Sequence, residues 1–142
     1  AQAILLTHGH FDHIMSCKKL QDLGYKIYIS KEDSVMCDNA ELNFAKDNNV
    51  DFSAFTPDYL LTNENELFFG TINVKIIKTP GHSMGGLSYI IENNLFSGDT
   101  LFSKGYGRTD LYGGNFREIL ASIKTLLKYV KNGYNLYSGH DY

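Results

Sequence analysis

Thr7-His8-Gly9-His10-Phe11-Asp12-His13 places four metal-capable side chains, His8, His10, Asp12 and His13, within six residues. The run before it, Ala3 to Leu6, is apolar and reads as a buried strand ending in a glycine-containing turn. Side chains alternate along an extended segment, so His8 and His10 can point the same way. Asp12 and His13 come where the chain turns into a helix and can face a neighbouring position. Neutral imidazole and carboxylate suit Zn²⁺, and also Fe or Mn. A lone H-x-H is common surface polarity. H-x-H-x-D-H directly after an apolar strand is far more specific.

Beyond this stretch the chain alternates helical and β-rich segments. Ile14, Cys17, Leu20 and Leu23 keep a helical period, and Gly24 stands where the helix should end. Lys26 to Ser30 reads as a strand. Ser30 then suits an N-cap, with a helix from Lys31 to about Met36 or further. From Asp38 to Asn65 the pattern is that of a loop with a helical turn or two. Glu66–Phe69 with Ile72–Lys78, and Leu87–Ile91 with Leu95–Ser97, read as two hairpins. Asn115 to Lys131 is an amphipathic helix stopped at Gly133, and Tyr134 to Ser138 is a last short strand. The mixture predicts one α/β domain over residues 1–142 with a partly antiparallel sheet.

The remaining histidines sit in similar places. His82 follows the strand Ile72–Lys78, Asp99 follows Leu95–Ser97, and His140 follows Tyr134–Ser138. An aspartate after glycine is usually only a turn residue. Loops at one edge of a sheet are, however, where sites collect.

The bulk numbers narrow the function. The chain has 142 residues, 43% hydrophobic and 20% charged, as expected of a soluble globular domain. No apolar run approaches the ~18–20 residues of a membrane span. Net charge is -3 and no basic stripe is present, which argues against nucleic acid. Two cysteines, Cys17 and Cys37, are too few for a secreted disulfide scaffold; free thiols in a reducing cytoplasm are expected.

Taken together the motifs resemble the metallo-β-lactamase superfamily, in particular its glyoxalase II-like (hydroxyacylglutathione hydrolase-like) branch. They are T-H-G-H-F-D-H, P-G-H-S-x-G-G (Pro80 to Gly86), S-G-D-T-L-F (Ser97 to Phe102), G-R-T-D-L (Gly107 to Leu111) and Gly139-His140, in the family's order. The resemblance implies an αββα sandwich. It implies a first metal on His8, His10 and His82, a second on Asp12, His13 and His140, and Asp99 bridging them. Both ions are expected to be zinc, with iron or manganese as alternatives. A hydroxide held between them would attack a thioester or similar activated acyl substrate, a small molecule, with Asp12 and Asp99 in catalytic roles. Ser83, Arg108, Thr109 and Asp110 match motif positions and either orient ligands or are plain turn residues. Gly81, Gly85 and Gly86 are expected to let backbone pass close to the ligand loops. Tyr106, Tyr112 and Tyr142 are weaker candidates for a substrate pocket.

The chain departs from the family in two ways. Only seven residues precede His8, so the first strands and helix of that half are expected to be missing, with self-association through the incomplete sheet. Asp141 stands where the family usually has glycine, and the substrate-binding C-terminal helical domain of glyoxalase II is expected to be absent. Two alternatives share the motifs: a mononuclear iron persulfide dioxygenase using His8, His82 and Asp99, and an RNA-processing nuclease. Class B β-lactamase activity fits less well, because G-R-T-D-L matches the glyoxalase-like branch.

Overall fold

The computed structural model describes residues 3–141. The chain folds into two compact units, Ala1–Thr62 and Asn63–Tyr142.

The first unit is built on a parallel sheet in the order β1 (Ala3–Leu5), β2 (Lys26–Ser30), β3 (Tyr59–Leu61). Ile27 and Ile29 of β2 are fully buried and join Leu6, Ile14, Cys17, Cys37 and Phe55 in one core. Between β1 and β2 the sequence predicts one helix over Ile14–Leu23. Two short ones are found, α1 (Phe11–Ile14) and α2 (Cys17–Asp22). The helix breaks at Met15-Ser16, and Ile14 and Cys17 on either side both enter the core.

The expected helix after Ser30 is a 3₁₀ helix at Asp33–Asp38, entered where the Asp33 N–H donates to Ser30 Oγ (3.2 Å). The segment read as loop with helical turns holds turns up to residue 49, no helix, and then β3.

Cys17 and Cys37 are free and buried. Burial raises the Cys17 thiol to about 11 and the Cys37 thiol to about 12. Both stay protonated at neutral pH, so neither should react with iodoacetamide at pH 8 until the protein is unfolded. Mass spectrometry of the alkylated chain, with and without denaturant, checks this.

The second unit is a five-stranded sheet in the order β10 (Asn135–Ser138), β7 (Asn94–Gly98), β6 (Leu87–Ile91), β5 (Ile72–Lys78), β4 (Glu66–Phe69). Both expected hairpins are present as antiparallel pairs, β4–β5 and β6–β7, whereas β10 joins β7 in parallel. The sequence reading missed β8 (Leu101–Phe102) and β9 (Gly105–Tyr106), a two-residue pair just after Asp99.

Helix α3 (Phe116–Lys131) starts at Asn115, whose Oδ1 accepts from the Glu118 N–H (3.0 Å). Its apolar stripe, centred on the fully buried Leu126, packs on Ile90 and Leu95 of the sheet. Leu126→Ala should destabilise the unit by ~2–5 kcal/mol. A lower denaturation midpoint with an unchanged m-value is the expected observation.

No helix among the described residues is long and apolar enough to cross a membrane.

Candidate metal centre

In the first unit the four ligand candidates lie on one turn. β1 ends at Leu5, His8 and His10 follow, His10 in extended backbone, and Asp12 and His13 lie in α1. The His8 ring meets the His10 ring edge-on at 4.8 Å and lies 4.2 Å from the His13 ring. His8 Nδ1 is 3.0 Å from Thr7 Oγ1, and His13 Nε2 is 3.6 Å from Asp12 Oδ2. The Nε2 atoms of His8, His10 and His13 are shielded from solvent.

In the second unit three strand ends bring three more candidates together. Asp99 directly follows β7, and its Oδ2 lies 3.4 Å from His82 Nε2 and 3.2 Å from His140 Nε2. His140 reaches this position because the Gly139 N–H donates to the Gly98 carbonyl (2.7 Å), beyond the register shift between β10 and β7. His82 is set from the other side. Its Nδ1–H donates to the Arg108 carbonyl at 2.8 Å. A carbonyl can only accept, so this contact fixes the Nδ1–H tautomer and turns the Nε2 lone pair toward Asp99.

The loop carrying His82 is held against α3. The Ser122 hydroxyl donates to the Pro80 carbonyl (2.7 Å) and the Asn115 N–H to the Gly81 carbonyl (2.8 Å). Gly81 has φ +136°, and a Cβ there would overlap the Ile119 backbone. A Cβ on Gly86 would fall 2.6 Å from the Thr79 carbonyl oxygen.

The G-R-T-D stretch acts on His82 through backbone. The Arg108 carbonyl meets the histidine, while its guanidinium turns to Asp110, with Nε to Oδ1 at 2.6 Å. That hydrogen bond holds the exposed Asp110 carboxyl at about 2, below its ordinary value. Ser83 is fully buried, and its carbonyl accepts from the Gly81 N–H (3.0 Å). Tyr106 and Tyr112 are exposed; Tyr142 lies outside the described residues. Sequence reasoning missed Asp33, a buried carboxylate whose Oδ2 accepts from the Gly9 N–H (3.1 Å), and Asn43, whose carbonyl accepts from the Phe11 N–H (2.9 Å). Both lie in turn-forming sequence, where an Asp or Asn carries no signal of its own.

Imidazole nitrogens and carboxylate oxygens, several of them shielded from water and with the Nδ1 atoms of His8 and His82 held by a hydroxyl and a backbone carbonyl, are a donor set suited to Zn²⁺, Fe or Mn.

The family described as "Metallo-beta-lactamase superfamily" matches residues 2–140, and this chain belongs to it. It is similar to "Probable metallo-hydrolase YqgX" of Bacillus subtilis, 35% identical over 97% of this chain and 67% of that protein. It is also similar to a "Hydroxyacylglutathione hydrolase" of Bartonella quintana, 39% identical over 99% of this chain and 49% of that protein. Among solved structures, the BLEG-1 B3 metallo-beta-lactamase superposes with a TM-score of 0.92 at 38% identity, over 99% of this chain and 69% of that one. TTHA1623 in a di-iron-bound form superposes with a TM-score of 0.84 at 29% identity, over 99% and 70%. The chain thus spans from 49% to 67% of the length of these two curated relatives.

Proposed function

We propose that the chain is the metal-binding core of a hydrolase that cleaves a thioester or similar activated acyl compound at a binuclear site. The observation carrying this reading is the Asp99 carboxylate, one oxygen of which lies 3.4 Å and 3.2 Å from the Nε2 atoms of His82 and His140, brought from two other strand ends. In this reading His8, His10 and His82 would hold one ion and Asp12, His13 and His140 the other, with the Asp99 carboxylate available to either. Divalent ions so held lower the pKa of water toward neutrality and polarise an acyl carbonyl. The protein's own contribution is orientation. The Arg108 carbonyl keeps the His82 tautomer, and Thr7 Oγ1 sits on the second nitrogen of His8. Asp12, the most exposed of the seven, is placed to take up the proton that the attacking water loses. Zinc is the metal proposed, with iron as the alternative that the di-iron-bound neighbour supports. The thioester reading is supported by the hydroxyacylglutathione hydrolase name of a relative 39% identical.

The test is hydrolysis of a hydroxyacyl thioester of glutathione by the zinc-loaded chain, followed by loss of thioester absorbance. A penicillin-type β-lactam serves as a second substrate, because one neighbour is described as a B3 metallo-beta-lactamase. Thioester turnover that a chelator abolishes is the expected result. Turnover of the β-lactam alone would reassign the substrate. Oxygen uptake on glutathione persulfide, with a single iron per chain, would replace the hydrolase by the dioxygenase.

A further inference from the structure

We propose that Asp33 is a positioning residue that fixes the H-x-H turn so that His8 and His10 present their ring nitrogens to one ion. The assignment rests on the reading of those two histidines as ligands.

Gly9 is the residue between the two histidines, and its N–H donates to Asp33 Oδ2 at 3.1 Å in a buried contact. Asp33 itself is fully buried. A carboxylate is an expensive group to bury, and one placed on the peptide between two ligand candidates serves that peptide. The rest of the surroundings acts on the same turn. The 3₁₀ helix that Asp33 opens is pressed against Gly9. A Cβ there would lie 2.8 Å from Met36 Cβ and 3.0 Å from the Asp33 carbonyl oxygen. The Asn43 side chain donates to the Met36 carbonyl (2.8 Å), while its own carbonyl accepts from the Phe11 N–H (2.9 Å). His10 is therefore bracketed by two main-chain anchors, the Gly9 and Phe11 amides, that lead back to one buried frame. Phe44 extends that frame. It holds φ +69°, unusual for a residue with a side chain, and its ring meets the His10 ring edge-on at 5.6 Å.

Met36 and Phe44 offer the turn apolar surface. Asp33 supplies a side-chain acceptor, aimed at the peptide that joins the two histidines. Without it the Gly9 peptide can rotate, and a rotation there swings His8 and His10 in opposite senses.

Co(II) titration of the metal-free chain, read by visible absorption, tests the assignment alongside the thermal midpoint of each metal-free variant. Asp33→Ala should bind Co(II) ~10–100-fold more weakly and change the shape of its spectrum. Asp33→Asn keeps an acceptor for the Gly9 N–H and should restore most of the affinity and the parental spectrum. Ser30→Ala is the control. It removes the hydroxyl that caps the same helix and lowers the thermal midpoint, yet leaves the carboxylate in place, so it should keep the spectrum. Should Asp33→Ala fail to fold, Asp33→Glu takes its place, because the extra methylene displaces the acceptor while keeping the charge.

Parental affinity and spectrum in Asp33→Ala or Asp33→Glu would overturn the assignment. So would a loss in Ser30→Ala as large as that in Asp33→Ala, which would reduce Asp33 to a fold-stabilising residue. Failure of the metal-site reading looks different: the parent itself takes up no Co(II), and both readings fall together.

Discussion

Asp99→Ala should bind no more than one metal ion per chain and lose at least ~10³-fold in kcat/KM, about 4 kcal/mol of transition-state stabilisation. Asp99 lies within 3.4 Å of one histidine nitrogen and 3.2 Å of another. Alanine leaves those two imidazoles without the carboxylate they share. The turn itself should survive. Its backbone is held by the Thr100 N–H on the Ser97 carbonyl (3.1 Å) and by Gly139 N–H on Gly98 (2.7 Å), and neither bond involves the Asp99 side chain. Loss of metal with an unchanged far-UV circular dichroism spectrum is therefore the expected pair of observations. Full metal content in Asp99→Ala would show that this carboxylate is a turn residue only.

Gly107→Ala should be nearly as damaging, through sterics alone. A Cβ at Gly107 would overlap the Asp99 carbonyl oxygen and stand 2.9 Å from His82 Nδ1. The next residue supplies the carbonyl that orients His82 (2.8 Å), so the loop cannot withdraw without releasing that ring. Overpacking of this kind costs up to ~3 kcal/mol, and here the strain falls on the Asp99 backbone and the His82 ring at once. The expected result is a lower denaturation midpoint together with weaker metal binding. Gly105→Ala makes the comparison sharp, because a Cβ two residues earlier meets nothing within 4 Å. It should change neither quantity. Equal behaviour of the two variants would mean that the close approach at Gly107 has no consequence.

These two variants also mark how much of the site can be read from the chain. His8, His10, Asp12, His13, His82, Asp99 and His140 are legible because each follows a β-rich run, and strand ends are visible as patterns. β2, both hairpins and α3 are legible for the same reason: their periodicity extends over several residues. What supports them is not. β3 is three residues long and β8 and β9 two each, too short for any period to show. The hold on His82 comes from a main-chain carbonyl, which every residue has, so Arg108 reads in sequence as a side-chain candidate and is a backbone one. Asp33 and Asn43 matter through long-range contacts to a turn more than twenty residues away. Only folding reveals those partners, because nothing in the local pattern records them.

In the proposed reading this chain holds two metal ions on seven named residues. Elemental analysis of the zinc-reconstituted chain, run beside His8→Ala and His140→Ala, decides it. About two ions per chain, as in two-metal hydrolytic sites, and a loss in each variant are expected. One iron unaffected by His140→Ala, or no bound metal in the parent, would contradict it.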